Sequence, residues 1–409
     1  MFTGDAADMP AGCVALNATS NLDGIERNTN EDIWEMADTL HGLAAAGRSY
    51  SKKEKELGLK YNENGLLYCQ SLRSVHKPID HYIRDWMHIL VNGGVANTQT
   101  YHLFEALKKE HVPVELVQEY SLEVVLPKKY GKVSPTWLEK ARFSKKGGEF
   151  HSFASYMLCL LPIIMMYLID CVKPTGKLLE HIECWQLLVD IVGLLKSGAD
   201  FAVQHLELLA KLIAEHHELY LRIYPAGRAV KPKWHHLLHL PETYELLKKV
   251  ISCFVTERKH KSIKRASLFV FRHLEHTCLA SIINEQCEQV LNGHSLFQRS
   301  FLVNPSLIEV SPTVSLNRSS RAVLDCGELA FDDIIVDTED SISRVVCFWQ
   351  QETTIVAQCT TCETVGAGHV FRHTGSTCFI AGGSIIDAVS YRPLPDGSFR
   401  VCLPFRAEL

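Results

Sequence analysis

Histidines and one glutamate ringed by cations carry most of the chemistry this sequence offers, and they fall together between Lys231 and Arg272. Lys-Pro-Lys-Trp leads into His235, His236 and His239. An apolar run of β type, Val250 to Val255, then delivers Glu257 into Arg258, Lys259, His260, Lys261, Lys264 and Arg265. The stretch holds ten Lys/Arg against three Glu, in a chain whose formal net charge is -5. A carboxylate at the end of an apolar run, surrounded by cations, suits metal binding or proton transfer at an anionic substrate. The same residues also describe a strand running into a solvated helix whose one Glu pairs with Arg or Lys. The cations following Glu257 recur at spacings that place most of them along one side of a helix, where they would meet phosphates by charge.

Two further spacings suit a metal. His235-x-x-x-His239 places two imidazoles on one helix face, and Asp85-x-x-His88 spans a turn. Together they offer four oxygen and nitrogen ligands in two pairs, the usual assembly of a structural zinc site. Each pair alone also fits ordinary core or surface histidine. Cys359-x-x-Cys362, with His369, His373 and Cys378 downstream, is a second candidate. Its cysteines lie in or beside an expected strand, and the downstream spacing matches no zinc finger. Phosphate-binding loops, dinucleotide-binding glycine motifs, G-x-S-x-G and H-E-x-x-H have no counterpart in the sequence.

The elements that must position these groups differ along the chain. Its 409 residues allow two or three domains. Residues 1–30 are polar and patternless and read as a flexible segment. Apolar stripes predict helices over Asn30–Ala46, with Ser51-x-x-Glu54 resembling a capping box for a second. Residues 31–295 then form a mainly helical region, in which Asp200 is placed to cap a helix bearing His216 and His217. The uncharged run Phe153–Ile169 carries Pro162 and reads as a buried helix rather than a membrane span. Fourteen scattered cysteines, several in apolar runs, read as buried thiols of a reducing compartment. A linker over 296–312 leads into a β-domain over 313–409, a small barrel or sandwich with a hairpin at Pro395-Asp396-Gly397. From Ser311 onward there are twelve Asp/Glu, seven Arg and no Lys, which hints at a basic protein partner. The fold class expected is α+β.

Four segments, in order, resemble CACTA-type cut-and-paste transposases. Asp85-Trp86-Met87-His88 with Gly94-Val95 resembles their D-x-M-H…G-V segment. Glu149-Phe150 before Leu161-Pro162 is similar to E-[WF]-R-x-F…L-P, with His151 in place of the Arg. Lys231-Pro232-Lys233-Trp234-His235…His239-Leu240-Pro241 resembles P-K-x-H-x-x-x-H-L-P. Ser252-Cys253-Phe254-Val255-x-Glu257-Arg258-Lys259-His260-Lys261 is similar to the S-C-F-x-x-E-R-K-x-K element of one branch.

The resemblance implies a ribonuclease-H-like fold of the DDE type, interrupted by a helical insertion within the 171 residues between Asp85 and Glu257. It makes Glu257 the third catalytic carboxylate, and Asp85, His88, His235 and His239 a structural Zn²⁺ site bracketing the insertion. Mg²⁺ is implied only if the catalytic set is complete, because a two-metal site needs several converging carboxylates. The family's first two aspartates lie well upstream of D-x-M-H. Here 84 residues precede Asp85, and Asp5, Asp8, Asp23, Asp32, Asp38 and Asp80 follow no recognisable strand. The chain therefore reads as the C-terminal part of a transposase: a nuclear, DNA-binding protein without strand-transfer activity alone, contacting DNA through Arg258, Lys259, Lys261, Lys264 and Arg265. An active Mg²⁺-dependent nuclease and a non-enzymatic interaction module working through the acidic β-domain are the competing readings.

Overall fold

Thr29 opens the first helix, α1 (Asn30–Ala45), because its hydroxyl accepts from the Asp32 amide at 3.2 Å. Its own amide donates to the Asp32 carboxylate at 2.6 Å, closing a capping box. The box expected at Ser51 does not form. Ser51 is already the first residue of α2 (Ser51–Leu57), and the Glu54 carboxylate instead accepts from the Tyr61 amide at 2.7 Å. The structure, a computed structural model, describes residues 29–57, 59–78, 84–146, 148–197, 203–224, 232–248, 250, 252–253, 273–291, 300–311, 314–365 and 369–402. Asp200 lies outside them.

Seven helices make the central bundle: α3 (Val95–Lys109), α4 (Val114–Leu122), α5 (Ala154–Tyr167), α6 (Leu179–Ser197), α7 (Val203–Ile223), α8 (Pro232–Leu238) and α9 (Leu240–Leu247). They enclose one apolar cluster that includes Trp185, Tyr220, Trp234 and Tyr244. Helix α5 continues through a π turn at Leu168–Val172, and 61% of its apolar window is buried inside the structure. By length and composition alone it would pass for a membrane span. A two-stranded ladder, β1 (Phe143–Ser144) with β2 (Glu149–Phe150), flanks α3. A last helix, α10, covers Leu274–Leu291.

The N-terminal half of α3 is polar yet buried all round. Asn97, Thr98, Gln99, Thr100 and His102 are all at most 3% exposed. Burying such groups is tolerated because each finds a partner. Asn97 donates to the Phe150 carbonyl at 2.9 Å and Gln99 Oε1 meets His216 Nε2 at 2.7 Å. His102 Nδ1 meets the Tyr220 hydroxyl at 2.6 Å.

The strands of the C-terminal unit begin at Phe301, inside the stretch expected to be linker. The strands are β3 (Phe301–Leu302), β4 (Ser306–Ser311), β5 (Val314–Ser319), β6 (Arg321–Leu324), β7 (Gly327–Ala330), β8 (Ile334–Asp337), β9 (Ile342–Gln351), β10 (Thr354–Thr364), β11 (Val370–Ala381), β12 (Ile385–Val389), β13 (Tyr391–Pro393) and β14 (Phe399–Val401). All described pairings are antiparallel. The main sheet runs β12-β8-β9-β10-β11-β14-β13, with the β4–β5 hairpin joined to β9, and β3-β6-β7 forms a smaller sheet. The hairpin expected at Pro395-Asp396-Gly397 joins β13 to β14. Strand periodicity of two divides the apolar residues between two clusters. Ile335, Val345 and Phe348 enter one, while Ile334, Val336 and Ile342 enter the other. The protein is α+β, with helices first and the sheets gathered at the C-terminal end.

The β-unit is docked on the bundle. Val125 and Tyr391 exchange both backbone hydrogen bonds, at 2.8 and 3.0 Å. Asp387 holds Lys129 at 3.2 Å and also Lys196, and Asp170 holds Arg400 at 2.8 Å.

Candidate metal centre

Asp85 caps a short buried π turn, Met87–Val91. Its carboxylate accepts from the Met87 amide at 3.2 Å and the His88 amide at 3.3 Å, as a helix N-cap does. Gly94 lets the chain fold back at once, since a Cβ there would sit 2.1 Å from the Ile89 carbonyl oxygen. Lys233 closes the other end of the turn by donating to the Asn92 carbonyl at 2.7 Å, so α8 lies alongside.

The ligand atoms of Asp85, His88 and Cys253 all lie within 4.8 Å of one another. His88 Nδ1 is hydrogen-bonded to Asp85 Oδ2, and the Cys253 amide donates to Asp85 Oδ1 at 3.0 Å. Burial alone would raise the Asp85 carboxyl. The His88 ring and the Cys253 and Met87 amides outweigh it and hold the group below its ordinary range. One oxygen, one nitrogen and one sulfur ligand suit zinc, whose bond lengths would set them roughly 3.3–3.6 Å apart in a tetrahedron. Without a metal, the same Asp–His pair is a hydrogen bond that fixes the ring.

His235 and His239 do not join this group. Their Nε2 atoms face each other at 3.0 Å across one turn, and His239 Nδ1 meets the Glu242 carboxylate at 3.0 Å. The expected set of Asp85, His88, His235 and His239 is thus divided. The i, i+4 spacing brings the two histidines together but aims them at each other. Cys253 takes a place beside Asp85 that the sequence spacings did not reveal. Its only signal was its position four residues before Glu257 in the S-C-F element. Burial pushes the neighbouring His236 down to about 4, helped by the nearby charge of Arg84.

Val250, Ser252 and Cys253 are loop in the structure, where an apolar strand was expected. Glu257, Arg258, Lys259, Lys261, Lys264 and Arg265 lie outside the described residues.

The second cysteine constellation is separated by the sheet. Cys359 is buried in one β cluster opposite Cys378, whereas Cys362 packs against the other and meets His373 Nδ1 at 3.3 Å. Burial pushes both the Cys359 and Cys362 thiols up to about 12, the state of inert core cysteines. Among the described residues, no group of three metal-ligating side chains forms there.

No family model, curated protein or solved structure matches this chain.

Proposed function

We propose that the protein is a transposase-derived, DNA-binding protein, without strand-transfer activity alone, in which Zn²⁺ ties the two ends of a helical insertion. One observation carries this reading. Asp85 and His88, from the D-x-M-H segment, and Cys253, from the S-C-F segment, converge although the bundle lies between them in sequence. A chain that merely carried chance motif matches has no reason to bring those two segments together. In this reading helices α3 to α9, which lie between Asp85 and Glu257, belong to the insertion, and the ribonuclease-H-like part and the barrel-like tail flank it. Glu257 is the one identified member of the catalytic carboxylates, so Mg²⁺ enters only where that set is completed. A nuclear location follows from the same resemblance.

Zinc should be retained at one ion per chain after purification and lost in part from His88→Ala and Cys253→Ser. Metal analysis by mass spectrometry reads this directly. Zinc at about 100 times its dissociation constant should stabilise the native chain by about 2.7 kcal/mol. Absence of retained zinc, together with an unfolding midpoint that added zinc leaves unmoved, would sink the metal. His235 lies outside the group as it stands, and His235→Ala then shows whether the histidine pair turns in to supply a fourth ligand when zinc binds.

DNA binding is tested by salt. If about four of the cations after Glu257 contact phosphates, the slope of log K against log salt for duplex DNA should be roughly -3.6. Replacing Lys261 and Arg265 by Ala should flatten it by roughly 1.8 and weaken binding to all sequences alike. A slope near zero, or one unchanged in the double variant, counts against DNA as the partner.

A further inference from the structure

Among the contacts by which the β-unit grips the bundle is the segment Val124 to Tyr130, extended as far as Pro127 and closed by a 3₁₀ turn at Lys128–Tyr130, and it is held in the way of a bound peptide. Val125 pairs with Tyr391 on β13, the last strand of the sheet, as a one-residue continuation of that sheet. The Lys128 amide donates to the buried Asp333 carboxylate at 2.8 Å. Lys128 Nζ lies 3.8 Å from Asp332, and Lys129 Nζ lies 3.2 Å from Asp387. Lys129 passes over Gly327, where a Cβ would stand 3.4 Å from the ammonium. At the other end Arg392 takes the Glu123 carboxylate at 2.8 Å and lies 4.4 Å over the Tyr120 ring.

We propose that the β-unit is a peptide-recognition module whose site is the β13 edge with Asp332, Asp333 and Asp387, and whose occupant here is the chain's own Val124–Tyr130. The ligand class is a peptide whose apolar residue lies extended along the edge and whose Pro-Lys-Lys closes in a 3₁₀ turn. Main-chain pairing at an exposed sheet edge supplies affinity without selectivity, and side chains flanking the edge supply selectivity. Both parts are present. Val124 and Leu126 turn into the helical core, so the β-unit reads the Val125 backbone, the Lys128 amide and the two ammonium groups. Asp332 (held also by Arg344 of β9), Asp333 and Asp387 all face the Lys128-Lys129 segment, so this lysine-free, acid-rich unit has a basic partner in the same chain. Lys196 from α6 shares Asp387, which keeps that carboxylate paired when Lys129 is removed. The proposal is independent of the DNA reading.

The test uses the full chain carrying Val125→Pro and Lys129→Ala, which removes the amide donated to Tyr391 and one ammonium. Hydrogen exchange at the Tyr391 amide should rise about tenfold or more over the native chain, the loss of roughly one net hydrogen bond. A synthetic peptide covering residues 122–132, at about 1 mM, should restore the protection, and a scrambled peptide should not. Equal exchange in native and variant chains would overturn the docking. Raised exchange that the peptide leaves unchanged would overturn recognition and reduce the contact to tethered packing. Should the double variant lose its helical circular dichroism, Lys129→Ala alone is read with the same peptide and the same two failing outcomes.

Discussion

Lowering the pH from about 6.5 to 4.5 should cost the helical region roughly 3 kcal/mol through His216 alone. His216 is fully buried, with its ring 5.5 Å from that of Trp234 and stacked at 6°. Burial, with a smaller contribution from His217, pushes it from 6.5 down to about 3. The unfolded chain therefore takes up this proton as pH falls through 6.5, whereas the folded chain refuses it until about 3. Between those values folding loses about 1.4 kcal/mol per pH unit, and above 6.5 it loses nothing. His181, His217 and His236 are displaced in the same direction, chiefly by burial. The paired carboxylates Asp85 and Asp387 are held below 3.8, so their contribution fades only at lower pH. Asp190 works the other way: burial raises its carboxyl to about 6, so the folded chain takes up that proton first and part of the histidine loss is offset below that pH, which is why the His216 share is read from a variant. Urea titrations at about pH 7, 5.5 and 4.5 measure the slope. His216→Gln should flatten it by about 1.4 kcal/mol per pH unit, and an unchanged slope in that variant would remove His216 as the cause.

Trp234→Ala should destabilise the protein by about 3–5 kcal/mol, the cost of emptying a large aromatic site in a close-packed core. Trp234 is fully buried, and its ring lies 4.0 Å from Tyr220 and 5.7 Å from His217. It is the residue before His235 and the main anchor of α8 against α7. Its loss should therefore also unseat His235 and His239 and weaken whatever they contribute to metal binding. Trp234→Phe keeps most of the apolar volume and should cost about 2 kcal/mol or less. Chemical denaturation gives the stability of both variants, and metal content gives the coupling to the site. A loss below about 1 kcal/mol for Trp234→Ala would mean that α8 is held by something other than this ring.

Much of the architecture was legible because it rests on local periodicity. The stripe Ile33, Met36, Leu40 marks α1 within a residue of its end, and the apolar run with Pro162 marks a buried α5. The β-type runs over 333–336, 344–349, 353–358, 377–381 and 399–403 correspond to β8, β9, β10, β11 and β14. Strands β3 to β7, β12 and β13 lie outside those runs. Length alone is not the reason, since β8 and β14 are as short. Helix caps were misjudged for a nonlocal reason. Thr29-x-x-Asp32 and Ser51-x-x-Glu54 are equally good boxes on paper, and the Tyr61 amide, a nonlocal competitor, took the Glu54 carboxylate.

The candidate site was half legible. Asp85 and His88 are three residues apart on one turn, and His235 and His239 are four apart on one helix face, so each pair was fixed locally. What those pairs face depends on how α8, the π turn and the loop at Cys253 pack, and no local spacing encodes that. The same holds for Cys359 and Cys362, whose two-residue gap looked like a metal knuckle until the sheet placed their thiols against different cores. The acidic, lysine-free tail was plain in composition. That its aspartates close on Lys128, Lys129 and Lys196 was decided only by the tertiary fold, because opposite charges more than a hundred residues apart find each other through packing. The sequence by itself thus determined element types, charge balance and local ligand pairs, which depend on neighbours along the chain. The tertiary structure decided which pairs meet, because that is set by burial of surfaces distant in sequence.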